Sequence, residues 1–247
     1  MVRGIVRGLG KVIDKKMLFT SAVVVAAGSA SRMGGINKIF YELDGVPVIV
    51  RTLSVFQSCG AVSEIVLVVR ECDIDKARSI CSESGITKLT KIVPGGDKRS
   101  VSSSNGVFAV SDKSDIVIIH DGARPFVTDS MIRDGIDTAV KYSASAAAIP
   151  VVSTIKRGEN GFVSSTVERD NLFEIQTPQV FRTDIIKGAL QNAVSHGLNI
   201  TDDCMAVEAI GLHPRLFDGS RENIKLTVKA DLDIAYGILK GRKKKCE

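Results

Sequence analysis

Short apolar runs alternate with segments of helical periodicity along most of the chain. The runs AVVVAA and IVLVV predict strands at Thr20–Ala27 and Glu64–Arg70, because a strand buried on both faces lacks polar alternation. The remaining strands that this pattern predicts lie at residues 91–93, 115–120 and 146–151. Helices are predicted near residues 47–60, 74–81, 100–110, 128–142, 182–195, 203–210 and 229–240, and Asp73 is the expected cap of the second.

This alternation predicts an α/β fold, with a Rossmann-like, mostly parallel twisted sheet and helices on both faces. The pattern changes where two short runs of alternating polarity flank the turn sequence GENG at residues 158–161, which predicts a protruding β-hairpin arm at about residues 152–176. We therefore expect a single domain at residues 20–241. An N-terminal extension at residues 1–19 and a basic tail at residues 242–247 would flank it.

Polar and glycine-rich segments follow three of the predicted strands. They are Gly28–Lys38, Pro94–Arg99 and His120–Pro125. Sheets of this class bind ligands beyond the carboxyl ends of their strands. The sequence therefore predicts one binding cleft, built from these three loops at one edge of the sheet.

Composition excludes several classes of protein. The formal charge of +5 arises partly from the terminal run RKKK, which is usually a solvated charge run. With 5% aromatic residues and no tryptophan, nucleic-acid binding is not expected. No apolar run approaches the roughly 20 residues that cross a bilayer, so no membrane partner is expected.

Five cysteines without a CxxC spacing indicate neither a disulfide framework nor a zinc site and favour a reducing cytoplasm. The basic N-terminal residues leave a plastid-type transit peptide as the alternative to a plain extension.

The loop AAGSASRMGGINK at residues 26–38 has the ingredients of an anion site. It matches neither the GxGxxG dinucleotide fingerprint nor the P-loop. Its small residues nevertheless let backbone N–H groups approach an anion closely. Arg32 and Lys38 add positive charge suited to phosphates. Phosphate binding and a plain surface loop both remain open at this level.

Further segments carry a resemblance to a known family. The loop AAG-x-x-x-R-M followed by a lysine resembles the signature of sugar-phosphate nucleotidyltransferases. The additional segments are GGDKRSVS, HDGARPF, VERDNLFEIQTPQVF, ITDD and NIKLT, in that order. Together they resemble the 2-C-methyl-D-erythritol 4-phosphate cytidylyltransferase family, over about Ala22 to Lys240. One departure is Asn37, which replaces a proline common in that family and predicts a more mobile Lys38.

The resemblance implies an activity. Members of this family join CTP to methylerythritol phosphate, with Mg²⁺, and release pyrophosphate in non-mevalonate isoprenoid biosynthesis. They act as homodimers that share their sites through the hairpin arm. Alternatives are a cytidylyltransferase for another polyol phosphate, such as ribitol 5-phosphate, and a non-catalytic nucleotide-binding regulator.

The resemblance also implies roles for individual residues. Arg32 and Lys38 would stabilise the transition state around the triphosphate, and Arg169 and Lys225 would hold the polyol phosphate in line. The cytosine nucleotide would lie against small or turn-forming residues, namely Ala26, Ala27, Gly28, Gly96, Asp97 and Ser102.

The remaining implied roles concern the polyol. Asp121 would contact its hydroxyl groups or lie near Mg²⁺, although an aspartate at a strand end is more often a turn or cap residue. Arg124 would shape the sugar site or simply pair with Asp121. Thr154 and Thr177 would hydrogen-bond substrate, and Thr154 would reach the neighbouring subunit together with Arg169. His120 is expected to be a packed strand residue and not a catalyst.

Overall fold

The computed structural model describes residues 18–28 and 37–244. The predicted phosphate-loop cation Arg32, residues 1–17 of the predicted extension and residues 245–247 of the tail lie outside this part. The strands are β1 (Thr20–Val25), β2 (Glu42–Leu43), β3 (Val46–Pro47), β4 (Glu64–Val69), β5 (Leu89–Pro94), β6 (Ile116–Asp121), β7 (Ala144–Pro150), β8 (Ile155–Glu159), β9 (Phe162–Val167), β10 (Phe173–Arg182) and β11 (Arg215–Asp218). The helices are α1 (Val48–Ser58), α2 (Ile74–Glu83), α3 (Arg99–Ala109), α4 (Asp129–Tyr142), α5 (Thr183–Ser195), α6 (Asp203–Glu208) and α7 (Ala230–Lys244).

A seven-stranded sheet organises these elements, in the order β11-β7-β10-β6-β1-β4-β5. β1 pairs in parallel with β4 and β6, β4 with β5, and β7 with β11. β10 runs antiparallel to both of its neighbours, β6 and β7. The predicted mostly parallel α/β fold is confirmed. The hydrophobic pattern does not predict β10, β11 or the small β2–β3 hairpin.

Helices cover both faces of the sheet, as predicted. The side chains of β1 show the reason, because they enter an apolar core on each face. Ala22 and Val24 point into an apolar core that includes residues of α1, α2 and α4. Val23 and Val25 point the opposite way, into a second core with residues of α3, α5 and α6. Since successive side chains of a strand alternate between faces, the consecutive apolar residues 22–25 require packing on both sides.

Parallel pairing aligns the carboxyl ends of the central strands. Val25, the last residue of β1, is paired with Asp121 at the end of β6 and with Val68 near the end of β4. The loops that follow β1, β5 and β6 therefore begin at the same edge of the sheet, which is where the sequence predicted the cleft.

Helix α3 packs closely against this sheet because of one glycine. A Cβ atom on Gly106 would lie 2.7 Å from Cγ2 of Val68 and would also clash with Val23. Contact distances this short do not occur between real side chains, so only glycine permits the observed approach. The close packing brings the first residue of α3, Arg99, to the carboxyl edge.

The predicted hairpin arm is present as β8 and β9, which form a two-stranded sheet of their own. Asn160 and Gly161 turn the chain with φ values of 51° and 84°, the left-handed region that tight hairpins use. Phe162 and Val163 are 79% and 67% exposed. The role of the arm in dimerisation stays a prediction.

The prediction that the Asp73 side chain caps α2 is wrong. Asp73 does occupy the N-cap position, but its side chain makes no capping hydrogen bond. Its carboxylate is instead paired with Arg70, 2.7 Å away. Thr128, in contrast, does cap α4 by accepting a hydrogen bond from the backbone N–H of Met131.

Within the described ranges, none of the helices combines the length and apolar character needed to cross a membrane.

Candidate active site

A cavity of about 640 Å³ opens at the carboxyl edge of the sheet. Cavities of a few hundred to a thousand cubic ångströms are typical of small-molecule sites. Its lining includes nine of the residues that the sequence had singled out, namely Ala26, Ala27, Gly28, Lys38, Gly96, Asp97, Ser102, Asp121 and Lys225. The structure thus brings together residues separated by up to 199 positions in the chain, from Ala26 to Lys225.

Asp121 lies at the floor of this cavity, beside three cations. Lys225 Nζ is 2.9 Å from its Oδ2 atom, Arg99 Nε is 3.2 Å from Oδ1, and Arg124 Nε is 3.5 Å from Oδ2. Burial by itself would raise the pKa of Asp121, but the three cations outweigh it and hold that pKa well below its usual range. The carboxylate is therefore ionised at neutral pH.

Arg99 also bridges to a second buried carboxylate. Its Nη1 atom is 2.7 Å from Oδ2 of Asp203, whose side chain is fully buried. Burial acts to lower the pKa of Arg99, but Asp203 and Asp121 raise it beyond its ordinary value. Arg99 and Asp203 lie in the segments GGDKRSVS and ITDD, but the resemblance assigns neither residue a role. An arginine beside the glycine turn and an aspartate at a helix start were the available signals.

The loop that carries Lys225 is fixed by hydrogen bonds to the floor of the site. Asn223 donates from its side-chain amide to the carbonyl of Thr177 at 2.8 Å, and its own carbonyl accepts from Arg124 Nη1 at 2.7 Å. On the other side of Lys225, the backbone N–H of Leu226 donates to the carbonyl of Ala123 at 2.9 Å. Lys225 thus lies between anchored residues, and Arg124 both pairs with Asp121 and supports this loop.

Thr177 supports the site from below. Its hydroxyl accepts a hydrogen bond from the backbone N–H of Asp121 at 3.0 Å, and the residue is only 3% exposed. It does not line the cavity. Its geometry is that of a residue that holds the end of β6, and substrate contact by Thr177 stays a prediction.

One wall of the cavity consists of backbone. A Cβ atom on Gly95 would lie 2.7 Å from Oγ of Ser102 and would clash with Ala27. Gly96 N donates to the same Ser102 hydroxyl at 3.1 Å. Glycine at positions 95 and 96 therefore lets the turn pack against Ala27, Val101 and Ser102, and the cavity is lined here without side chains from these two residues.

Two predicted residues lie away from the cavity of their own chain. Thr154 and Arg169 are exposed near the base of the arm, and neither lines the cavity. Arg169 donates to the carbonyl of Val152. This hydrogen bond joins the segment that precedes β8 to the segment that follows β9.

His120, which precedes Asp121, is a packed residue, as expected. It is fully buried, its ring centroid lies 5.2 Å from that of Phe56, and its Nε2 is 3.2 Å from the carbonyl of Arg124. Burial lowers the pKa of His120 to about 4, so the ring is neutral at pH 7.

Metal-binding groups are sparse in the part of the chain that the structure describes. It contains no group of three or more histidine, cysteine, aspartate or glutamate residues placed to hold a metal ion. Both oxygens of Asp121 already face cations. Mg²⁺ prefers about six oxygens, of which water and substrate phosphates often supply most, so these residues do not build a magnesium site on their own.

The fold and the cavity define an α/β protein with a cation-rich, nucleotide-sized site at the carboxyl edge of its sheet. Comparison with known proteins narrows this class. The family model described as 2-C-methyl-D-erythritol 4-phosphate cytidylyltransferase matches residues 20–241. The chain belongs to this family.

Individual relatives agree with this assignment. The chain is 41% identical over 220 residues to the 2-C-methyl-D-erythritol 4-phosphate cytidylyltransferase of Dehalococcoides mccartyi, covering 89% of this chain and 95% of the relative. It is 42% identical over 225 residues to that of Clostridium novyi, covering 90% and 97%. The crystal structure of 4-diphosphocytidyl-2C-methyl-D-erythritol synthase from Anaerococcus prevotii superposes with a TM-score of 0.81 at 28% identity, covering 93% and 98%.

Proposed function

We propose that this protein transfers the cytidylyl group of CTP to 2-C-methyl-D-erythritol 4-phosphate and releases pyrophosphate, a step of isoprenoid biosynthesis. One observation carries the proposal. In a chain that belongs to the family of this enzyme, Lys38, Lys225 and Asp121 line a single cavity beside a backbone wall. A site of this kind suits two phosphorylated molecules, since each phosphate needs positive charge and the base needs a flat surface.

The reaction is an in-line substitution at the α-phosphorus of CTP. A phosphate oxygen of the polyol forms a bond to that phosphorus while the bond to the β-phosphate oxygen breaks, and pyrophosphate leaves with the electron pair. A phosphomonoester is largely a dianion at pH 7 because its second pKa is near 6. The attacking oxygen therefore needs no general base.

The chief obstacle is repulsion between two polyanions, together with the charge that develops on the leaving pyrophosphate. Preorganised cations lower such barriers because they stabilise the transition state without reorganisation. Lys38 and, six positions earlier in the chain, Arg32 would act on the triphosphate. Lys225 would act where the phosphate of the polyol meets the α-phosphorus.

Asp121 would contribute as a hydrogen-bond acceptor. Its low pKa keeps it ionised, and an ionised carboxylate accepts hydrogen bonds from hydroxyl groups. The cations around it offset the cost of placing a charge in this buried position. We assign it to the hydroxyl groups of the polyol.

Magnesium is proposed to enter as part of the substrate, bound to the phosphates of CTP. The contacts of Asp121 do not favour the alternative expectation that it ligates the ion, because Lys225, Arg99 and Arg124 already face its oxygens. In the complex, the ion would neutralise triphosphate charge alongside Lys38.

A homodimer is part of the proposal. Arg169 and Thr154 lie outside the cavity of their own chain, while Phe162 and Val163 expose apolar surface on the arm. Docking the arm on a second copy would cover that surface and would carry Arg169 and Thr154 toward the partner's cavity.

A reducing cytoplasm remains the proposed compartment, on the basis of cysteine number and spacing.

Turnover of CTP with a panel of polyol phosphates tests this function. We expect pyrophosphate release with 2-C-methyl-D-erythritol 4-phosphate and little with ribitol 5-phosphate. Exclusive use of ribitol 5-phosphate would overturn the proposed substrate. Tight CTP binding without turnover of any polyol phosphate would favour a regulatory protein.

A further inference from the structure

A buried carboxylate outside the cavity connects two cations that line it. Asp73 is 8% exposed, does not line the cavity and does not cap the helix that follows it. Lys38 and Arg70 both line the cavity. Asp73 contacts Arg70 directly and contacts the residue before Lys38.

The contact with Arg70 is bidentate. Arg70 Nε donates to Oδ2 of Asp73 at 2.7 Å, and Arg70 Nη2 donates to Oδ1 at 3.1 Å. Two parallel hydrogen bonds to one carboxylate fix the plane of a guanidinium group. The Arg70 side chain remains 38% exposed, so it stays accessible from the cavity while its orientation is set.

The contact on the other side fixes the chain next to Lys38. Asn37 donates from Nδ2 to the same Oδ2 atom of Asp73 at 3.2 Å. On the far side of Lys38, Ile39 is buried, and its carbonyl accepts from Ile49 N at 2.8 Å. Lys38 is therefore flanked by two fixed residues.

A second contact joins the same segments. The ammonium group of Lys76, on α2, lies 4.6 Å from the ring centroid of Phe40. Phe40 N in turn donates to the carbonyl of Asn37 at 3.1 Å. Asn37 is thus held by both its side chain and its backbone.

We propose that Asp73 is a positioning residue of the nucleotide site, which orients Arg70 directly and Lys38 through Asn37. Arg70 then serves as an additional cation for the triphosphate of CTP. The inference rests on the proposed use of CTP. It also replaces the expectation of a more mobile Lys38, because the Asn37 side chain supplies a tether where a proline ring would restrict the backbone.

The first test compares two carboxylates of the same region. Asp73→Ala should weaken CTP binding, measured by calorimetry, by about 5-fold or more, because the Arg70 and Lys38 side chains would then have to be ordered on binding. The KM for the polyol phosphate should change less than that for CTP. The control is Asp75→Ala, because Asp75 is an exposed partner of Arg78 with a side chain 97% accessible. Equal CTP affinity in the two variants would overturn the proposal.

The second test separates positioning from stability. Asn37→Ala leaves the Asp73–Arg70 pair intact and should still weaken CTP binding. Asn37→Pro should bind CTP more tightly than Asn37→Ala, since proline restricts φ without the side-chain hydrogen bond. In the Asn37→Pro background, Asp73→Ala should cost less affinity than it does alone. If Asp73→Ala fails to fold, unchanged CTP affinity in Asn37→Ala would by itself contradict the inference.

These measurements distinguish failure of the positioning role of Asp73 from failure of the proposed function. An active wild-type enzyme whose Asp73→Ala variant binds CTP normally would refute only the positioning role. A wild-type protein that binds CTP but turns over no polyol phosphate would refute the proposed function, while calorimetry would still decide the role of Asp73. A wild-type protein that does not bind CTP would refute both.

Discussion

Lys225 Nζ lies 2.9 Å from Oδ2 of Asp121, and this pair joins the loop before α7 to the end of β6. The Lys225 side chain is 36% exposed, whereas that of Asp121 is 9% exposed. One charge is therefore buried at the floor of the cavity and the other faces its interior. The arrangement leaves Lys225 available to an incoming phosphate while Asp121 sets its position.

Loss of the Lys225 charge should therefore reduce catalysis far more than stability. In Lys225→Met, Arg99 and Arg124 still compensate Asp121, so the fold should persist. We expect kcat/KM to fall about 100- to 1000-fold, the range for removal of one preorganised charge stabiliser. Steady-state pyrophosphate release measures it. The control is Lys229→Met, because Lys229 is exposed and lies four positions along the chain; equal losses in the two variants would contradict the assignment.

Removal of Arg99 should, in contrast, reduce mainly the stability of the fold. Arg99→Met leaves Asp203 buried with an uncompensated charge, which typically costs about 3–5 kcal/mol of the free energy of unfolding. Urea denaturation measures it. The exposed pair of Arg133 and Asp129 provides the control, and its loss should cost under about 1 kcal/mol.

A second substitution tests the cause of that instability. Adding Asp203→Asn to Arg99→Met removes the uncompensated charge and should recover much of the lost stability. If the double variant is less stable than Arg99→Met, the burial of an unpaired carboxylate is not the origin of the effect.

The parts of the fold that sequence patterning predicted are those with a local signal. β1, β4 and β6 each contain a run of four or more consecutive apolar residues, and their burial on both faces followed from that feature. The position of the cleft followed from a general property of parallel sheets, since it needed only the strand ends. Neither inference depended on knowing which distant residues meet.

The parts that were missed depend on non-local partners. β10 contains Gln176, Pro178 and Gln179 among its apolar residues, so it lacks a strand pattern. The polar groups are accommodated by tertiary contacts, such as the hydrogen bond from Gln176 Nε2 to the carbonyl of Ser220 at 2.9 Å. Arg99 was missed for the same reason, because its partner Asp203 lies 104 positions away.

The proposed role of the arm predicts a linked loss of assembly and activity. Phe162→Asp places a charge on apolar surface that a partner would cover, so sedimentation should show a shift from dimer toward monomer. Turnover should fall in parallel, by about 10-fold or more, because Arg169 would no longer reach the partner's site as a charge stabiliser. Val194→Asp is a matched control, since Val194 is 75% exposed on α5, away from the arm. A dimeric, fully active Phe162→Asp variant would refute this role.

His120 should make the protein less stable as the pH falls below neutrality. Burial lowers the pKa of His120 to about 4 in the folded state, against about 6.5 in the unfolded chain. Between these values the unfolded state binds the extra proton, so the free energy of unfolding decreases as pH decreases. Integration gives a loss of about 2 kcal/mol between pH 7.5 and pH 5. The low pKa of Asp121 acts only below this window, since its stabilisation is lost near and below the ordinary pKa of an aspartate. Urea denaturation at the two pH values should therefore show the loss in the wild type and in His196→Gln, whose histidine is exposed, but a much smaller loss in His120→Gln. An unchanged pH dependence in His120→Gln would show that another group is responsible.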